Sequence, residues 1–194
     1  QPRSPRSDPN SDNEAVTFAP IEGSGTAEVA VPPAAAFAYL ADPRHAPEWF
    51  AGAAFATAPE GVPRLGQSWS FARTRGTRRV LPVEIAAFAP PRHFLWQTTL
   101  GPRRDNNAWD VECVPTEAGG ATRLIVTIRL IPGPLGWLSI LLYRPLVRGA
   151  LRERAQRAAN RARDALLAHA ASAPPSARPR PHPRAGRKPR RPRR

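Results

Sequence analysis

The sequence predicts an α+β domain in which a curved antiparallel sheet of about seven strands wraps around a long C-terminal helix, with two short helices after the first strand. Three observations predict this arrangement. Segments with an apolar residue at every second position follow one another along the chain, short turn-forming sequences separate them, and the periodicity becomes helical near the end. Connections this short join antiparallel neighbours, because parallel strands need longer crossovers.

Composition divides the 194 residues into a folded middle and two polar ends. The 25 prolines are densest before Pro20 and after Pro174. We therefore predict a disordered segment at residues 1–17, one folded domain at residues 18–171 and a disordered Arg/Pro-rich tail at residues 172–194. The tail holds nine basic residues and no acidic one, so it carries most of the net charge of +14.

The order of elements follows from the periodicity. The first strand is predicted at residues 26–31, after a flexible glycine-rich lead-in at residues 23–25, and Pro32 and Pro33 end it. A short helix at residues 34–40 and a second short helix or turn around residues 46–50 come next. Six further strands are predicted at residues 53–58, 67–75, 79–88, 94–100, 107–114 and 122–131.

Beyond Pro134 the apolar residues recur every three or four positions, which predicts a long amphipathic helix. Its predicted buried stripe consists of Val147, Leu151, Ala155, Ala158, Ala162, Ala165 and Leu166. Pro145 is expected to break or kink this helix, so that residues 135–143 form a separate apolar piece.

In order and in local sequence, these elements resemble START-like proteins, the SRPBCC superfamily that includes polyketide cyclases, dehydrases and lipid-transfer proteins. The resemblance covers residues 25–168. It rests on the strand before Pro32-Pro33, the Asp42-Pro43 and Glu48-Trp49 segment, the hairpin from Gly66 to Trp69, the Trp96 strand after Pro90-Pro91, and Trp109 followed by residues 119–124. It implies a helix-grip fold with an internal cavity for a hydrophobic ligand.

The apolar strand face supplies the candidates for the wall of this cavity, because aromatic side chains bind apolar molecules over a large area. These candidates are Trp69, Phe71, Phe94, Trp96 and Trp109, and the alternative is that they form an ordinary core. Arg73 has the parity of Trp69 and Phe71, so it could act as a lone cation for a ligand carboxylate or carbonyl. The piece at residues 135–143, with Leu138 and Leu142, is a candidate lid or cavity entrance, or it packs on the sheet.

The predicted function is binding or transport of a small hydrophobic ligand such as a lipid, a fatty acyl chain or a polyketide-like aromatic. A polyketide cyclase or dehydrase-like enzyme is the alternative. Catalysis would need polar groups that face the cavity, and the candidates His45, Glu48, Arg73, Glu84, His93 and Asp110 form no convincing set. Strand alternation predicts that Glu84 and Asp110 are exposed. No cofactor is expected, and His45 and His93 lack the clustered partners of a metal site.

The basic tail predicts a third function, an interaction protein tethered to nucleic acid or to an anionic membrane. The contact residues would be Arg187, Lys188, Arg190, Arg191, Arg193 and Arg194, and binding to these polyanions would be non-specific and salt-dependent. A solubilising extension without a partner is the alternative.

A single cysteine, Cys113, excludes an intramolecular disulfide and fits a reducing, cytoplasmic location, with membrane or nucleic-acid association through the tail. No apolar run is long enough to predict a transmembrane segment. The oligomeric state and the removal of an N-terminal leader stay open.

Overall fold

The computed structural model describes residues 19–51, 53–73, 80–100, 106–117, 120–133 and 137–172, without the side chains of Ala53, Arg73 and residues 137–141. The predicted disordered ends, residues 1–17 and the tail beyond Ser172, lie outside the described residues. The elements are β1 (Ile21–Val29), α1 (Pro33–Leu40), a 3-10 turn (Pro43–His45), α2 (Ala46–Trp49), β2 (Ala53–Thr57), β3 (Ser68–Arg73), β4 (Val80–Ala89), β5 (His93–Thr98), β6 (Asn106–Pro115), β7 (Thr122–Ile131) and α3 (Trp137–Ser172).

The seven strands form one antiparallel sheet in the order β1-β7-β6-β5-β4-β3-β2. Strands β2 to β7 therefore form a meander, and β1 joins it at the far edge beside β7. The predicted α+β class and the two short helices after the first strand are confirmed. The ends of β2 to β7 agree with the prediction within two residues, because turn-forming residues mark them in the sequence.

The core lies between one face of this sheet and α3. Alternate residues of β1 and of β3 to β7 face the core, and the predicted apolar face is buried, with Leu130 partly buried. From α3, alanines and leucines meet the sheet, and Leu151, Ala155, Ala162 and Leu166 are buried as predicted. Burial raises the pKa of the Cys113 thiol to about 12, so this residue behaves as a small apolar side chain.

The first strand differs from the prediction, because β1 begins at Ile21 and ends at Val29. Residues 23–25 are therefore part of the ladder with β7, where Gly23 pairs with Ile128 and Gly25 with Val126. A side-chain carbon on Gly23 would overlap the backbone of Arg152, and one on Gly25 would overlap the backbone of Gln156. The glycines are needed because the backbone of α3 lies directly against β1.

A side chain of α3 also covers the open edge of β1. The side-chain amide of Gln156 accepts a hydrogen bond from the Thr26 backbone N–H (3.1 Å) and donates one to the Thr26 carbonyl oxygen (2.7 Å). Unpaired edge groups favour association with other strands. Gln156 satisfies both groups of Thr26, so at this position α3 protects the edge of β1 as well as covering the core.

The predicted break at Pro145 is wrong, because α3 is one helix of 36 residues that runs through this proline. A proline in a helix has no backbone N–H, so one hydrogen bond of the helix is missing, while the turns before and after the proline keep their hydrogen bonds. In a helix this long, packing of the later turns on β1 and β7 holds the whole element together. No helix of the described part of the chain is both long and apolar enough to cross a bilayer.

We predict that Gly25→Ala destabilises the protein by about 3 kcal/mol, because the added carbon forces the backbones of β1 and α3 apart. Gly149→Ala is the matched control, since Gly149 lies in α3 with open space around it. This control should stabilise the helix by about 0.5 to 1 kcal/mol. Urea unfolding of both variants measures the difference, and equal midpoints would contradict the close contact.

Candidate functional site

The aromatic residues predicted to line a cavity lie together in the interior. Trp69, Phe71, Phe94, Trp96 and Trp109 are all buried on the α3-facing side of the sheet. Trp96 is central, with ring centroids 5.2 Å from both Trp69 and Phe94. The rings contact one another, so this part of the interior is packed, and a role in ligand contact stays a prediction for these residues.

A further tryptophan, Trp49 at the end of α2, completes this aromatic cluster at 5.3 Å from Trp96. The indole N–H groups of Trp49, Trp69, Trp96 and Trp109 are buried, and none has an acceptor among the residues that the structure describes. A buried donor without a partner costs about 1–3 kcal/mol, and buried tryptophans usually find one. The cluster therefore holds unused hydrogen-bond donors in an otherwise apolar interior.

A cleft of about 150 Å³ adjoins the cluster, between the end of α2 and the outer part of α3. Its apolar lining is Trp49, Phe50 and Ala51 from the α2 end, Ile128 from β7 and Ala158 from α3. Trp49 contacts Trp96, and the Phe50 ring lies edge-on to Trp109 at 4.9 Å. The cleft therefore reaches solvent on one side and the aromatic cluster on the other.

Three arginines of α3 complete the lining of the cleft: Arg154, Arg157 and Arg161. Their spacing of three and four residues places them on one side of the helix. Arg157 forms an ion pair with Glu153 at 2.6 Å, whereas Arg154 and Arg161 form no ion pair or hydrogen bond with any described residue. Because arginine stays protonated, the rim of the cleft carries a permanent positive charge.

The sequence interpretation missed the residues of this cleft. The spacing of the arginines was a usable signal, but solvated arginines on an amphipathic helix give the same pattern. The Glu48-Trp49 segment was part of the family resemblance, without an assigned role for Trp49. Only the packing of α2 against α3 brings the two groups together.

The structure places none of the remaining predicted cavity residues, Arg73, Leu138 and Leu142, in the aromatic cluster or the cleft. Arg73 lies in β3 and Leu138 in α3, but both side chains are outside the described residues. Leu142 is 76% exposed, so its side chain is not part of the interior. The six basic residues predicted for polyanion contact, at positions 187–194, also lie outside the described residues.

Two of the acid–base candidates, His45 and Glu48, form a hydrogen-bonded cluster with Tyr39. The Tyr39 hydroxyl donates to Glu48, whose other carboxylate oxygen lies 2.8 Å from His45 Nδ1. The Tyr39 ring stacks on His45 and contacts His169 of α3. Hydrogen bonds from Tyr39 and His45 lower the pKa of Glu48, while burial and the Glu48 carboxylate raise the pKa of Tyr39. The cluster joins α1, α2 and the end of α3.

The predicted exposure of Asp110 is wrong, because this residue is buried on the sheet face that points away from α3. His93 Nε2 lies 2.7 Å from one carboxylate oxygen, and an Arg129 nitrogen lies 2.8 Å from the other. Asp110 lies on β6, and His93 on β5 and Arg129 on β7 are its diagonal neighbours on either side. Long side chains at such positions can reach the residue on the strand between them. Glu84 is half-buried.

The sheet, the gripping helix and the adjoining cleft together define a protein of the START-like, helix-grip class. Solved structures agree at the level of the fold. A Staphylococcus aureus protein of unknown function matches with a TM-score of 0.60 and 11% identity, over 79% of this chain and 98% of its own. Norcoclaurine synthase from Thalictrum flavum, in complex with dopamine and hydroxybenzaldehyde, has a TM-score of 0.58 and 14% identity, over 87% and 98%. The di-domain ARO/CYC StfQ of the steffimycin biosynthetic pathway has a TM-score of 0.59 and 18% identity, over 78% and 52%.

The sequence then identifies the family within this class. The family of polyketide cyclases, dehydrases and lipid-transport proteins matches residues 20–163, and the chain belongs to it. No curated protein matches the chain. The three solved structures are at most 18% identical to this chain, so their similarity shows the fold alone. A specific function has to be argued from the residues of the cleft.

We predict that Glu48→Gln lowers stability by about 1 kcal/mol near neutral pH, because the carboxylate loses its charge-assisted hydrogen bonds. The pKa of Glu48 is lower in the folded protein than in the unfolded chain. Its contribution is therefore present above about pH 4.3, the ordinary value for glutamate, and is lost as the pH falls through the folded-state pKa. Urea midpoints between neutral and acidic pH should converge for the variant and the parent protein. Glu60→Gln, on an exposed loop, is the control, and a pH-independent difference for Glu48→Gln would contradict the assignment.

Proposed function

We propose that the protein binds a small, mainly apolar molecule that carries an anionic group, with this molecule seated in the cleft between α2 and α3. One observation carries the proposal: the apolar cleft is rimmed by two arginines, Arg154 and Arg161, that have no ion-pair partner among the described residues. The apolar part of the ligand would contact Trp49, Phe50 and Ile128.

The apolar lining supplies the affinity in this proposal. Burial of apolar surface contributes about 25 cal/mol per Å², before the ligand's loss of freedom is subtracted. A cleft of about 150 Å³ is smaller than the pockets that enclose drug-sized ligands. It therefore suits a single ring system or the end of a chain, and the remainder of a longer ligand would extend beyond it.

The arginine rim supplies the selectivity. A guanidinium donates two parallel hydrogen bonds to a carboxylate or phosphate, which fixes both position and orientation. Arg157 is already neutralised by Glu153, so Arg154 and Arg161 are the two cations free to meet a ligand.

A cyclase or dehydrase reaction would use the same cleft differently, since it needs a group that removes or delivers a proton. The ionisable side chains that line the cleft are arginines, which hold an anion but do not exchange protons at ordinary pH. This lining supports a binding function more directly than a proton-transfer function. The family description covers both transport and cyclase or dehydrase proteins.

The proposal predicts that 2-naphthoate binds about tenfold more tightly than 2-naphthamide, its uncharged counterpart, as measured by isothermal titration calorimetry at low salt. Replacement of both Arg154 and Arg161 by alanine should abolish the preference and leave the weaker apolar binding. Trp49→Ala should weaken the binding of both ligands, because it removes part of the apolar lining of the cleft.

Arg163→Ala is the matched control, because Arg163 is an arginine of α3 that pairs with Asp164 outside the cleft. This control should bind both ligands like the parent protein. Equal affinity for naphthoate and naphthamide would remove the anionic group from the proposal. Failure of both ligands, and of a hydrophobic panel screened by native mass spectrometry, would overturn the carrier function itself.

A further inference from the structure

The positive charge of the cleft exceeds the negative charge that the described residues supply to it. Arg154, Arg157 and Arg161 line the cleft, and Glu153 pairs with Arg157 alone, at 2.6 Å. The lining residues from α2 and β7 are uncharged. Three positive charges and one negative charge leave two positive charges, which belong to Arg154 and Arg161.

Two further carboxylates lie near these turns, and both have partners outside the cleft. Asp164, further along α3, pairs with Arg163 at 2.8 Å. Glu48, on α2, is hydrogen-bonded to Tyr39 and His45. Neither carboxylate forms an ion pair with an arginine of the cleft, so the two positive charges remain for a ligand.

A small residue, Ala158, lies between the two unpaired arginines on the helix surface. It comes four residues after Arg154 and three before Arg161, and at both spacings the Cβ atoms are about 5–6 Å apart. Ala158 is 8% exposed and lines the cleft, and its side chain is a single methyl group. The two arginines therefore flank a small apolar floor, over which both guanidinium groups can reach one anionic group.

The common anionic groups of small molecules differ in charge and in the number of acceptor oxygens. A carboxylate has one negative charge on two oxygens, so it would leave one positive charge of the cleft unmatched. A phosphate monoester has a charge of about −1.5 to −2 at pH 7 and three strong acceptor oxygens. Because each guanidinium donates two parallel hydrogen bonds, three oxygens give each arginine a pair of acceptors.

We propose that the anionic group of the ligand is a phosphate monoester, held by Arg154 and Arg161 above Ala158. The apolar part of the same ligand would contact Trp49 and Phe50. This inference rests on the proposed function, because it names the ligand class of the same cleft. A dianion matches the charge that the cleft leaves unpaired, whereas a monoanion matches half of it.

Two ligands that differ by one charge test the inference on the full chain. 2-Naphthyl phosphate and 2-naphthyl sulfate share a ring system and a tetrahedral anionic group, but the sulfate is a monoanion. In calorimetric titrations at pH 8 and low salt, without phosphate buffer, the phosphate should bind about tenfold more tightly than the sulfate.

At pH 5 this preference should disappear, because the second pKa of a phosphate monoester is about 6. The arginines of the cleft stay protonated at both pH values, and the lining residues from α2 and β7 do not ionise. The sulfate keeps its charge throughout, so its affinities at pH 8 and pH 5 measure any change in the protein itself.

Three variants assign the contacts to residues. Arg154→Ala with Arg161→Ala should remove the preference for the phosphate over the sulfate. Glu153→Gln frees Arg157 and should tighten binding of the phosphate about threefold, since it adds a cation to the cleft. Arg163→Ala, outside the cleft, is the control and should bind like the parent protein. Circular dichroism and urea unfolding check that each variant folds.

Two competitors distinguish the possible sources of the phosphate. Displacement of 2-naphthyl phosphate by an equal concentration of dihexanoyl phosphatidic acid, a soluble lipid with a monoester headgroup, supports a lipid as the ligand. Binding of the naphthyl ester that this lipid does not displace supports a smaller apolar ester. Displacement by an equal concentration of inorganic phosphate overturns the inference, because the apolar lining would then add nothing to the affinity.

Failure of this inference is separated from failure of the proposed function by the uncharged ligand. If the phosphate and the sulfate bind equally at pH 8, and both more tightly than 2-naphthamide, the phosphate is wrong and the anionic ligand stands. A phosphate preference that survives in the double arginine variant also contradicts the inference, because the dianion would then bind elsewhere. If no naphthyl ligand binds, the proposed function itself fails.

Discussion

The close contact between β1 and α3 is the constraint on which the rest of the structure depends. Two glycines, Gly23 and Gly25, let the helix backbone lie against the strand, and Gln156 hydrogen-bonds the open edge of that strand at Thr26. Small residues on the helix, such as Ala155 and Ala159, allow the same approach from the other side. This contact fixes α3 along its axis and around it, so it decides which side chains of the helix face the core, the cleft and the solvent.

Once α3 is fixed, its arginines acquire different surroundings. Arg157 meets Glu153 on its own helix, whereas Arg154 and Arg161 line a cleft whose other wall comes from α2. The Tyr39, His45 and Glu48 cluster holds α1 and α2 together and contacts the end of α3 at His169. The position of Trp49 at the cleft therefore depends on hydrogen bonds made by residues that do not line it.

Two features depart from what stability alone would favour. Four buried indole donors have no acceptor among the described residues, and three large apolar side chains of α3 are exposed to solvent. Natural proteins tend to violate local rules of packing and hydrogen bonding where they bind something.

The sequence by itself determined the fold class, six of the strands nearly to the residue, and the apolar face of the sheet, because alternation and turn residues are local signals. It did not determine the role of Gly23 and Gly25, since a glycine that admits a distant helix backbone looks the same as one in a flexible segment. Alternation also predicted that Asp110 is exposed to solvent. In the structure Asp110 is buried and pairs with His93 of β5 and Arg129 of β7. The cleft was decided by tertiary structure for the same reason: Trp49 and Arg154 are about a hundred residues apart in sequence, and only the packing of α2 on α3 makes them neighbours.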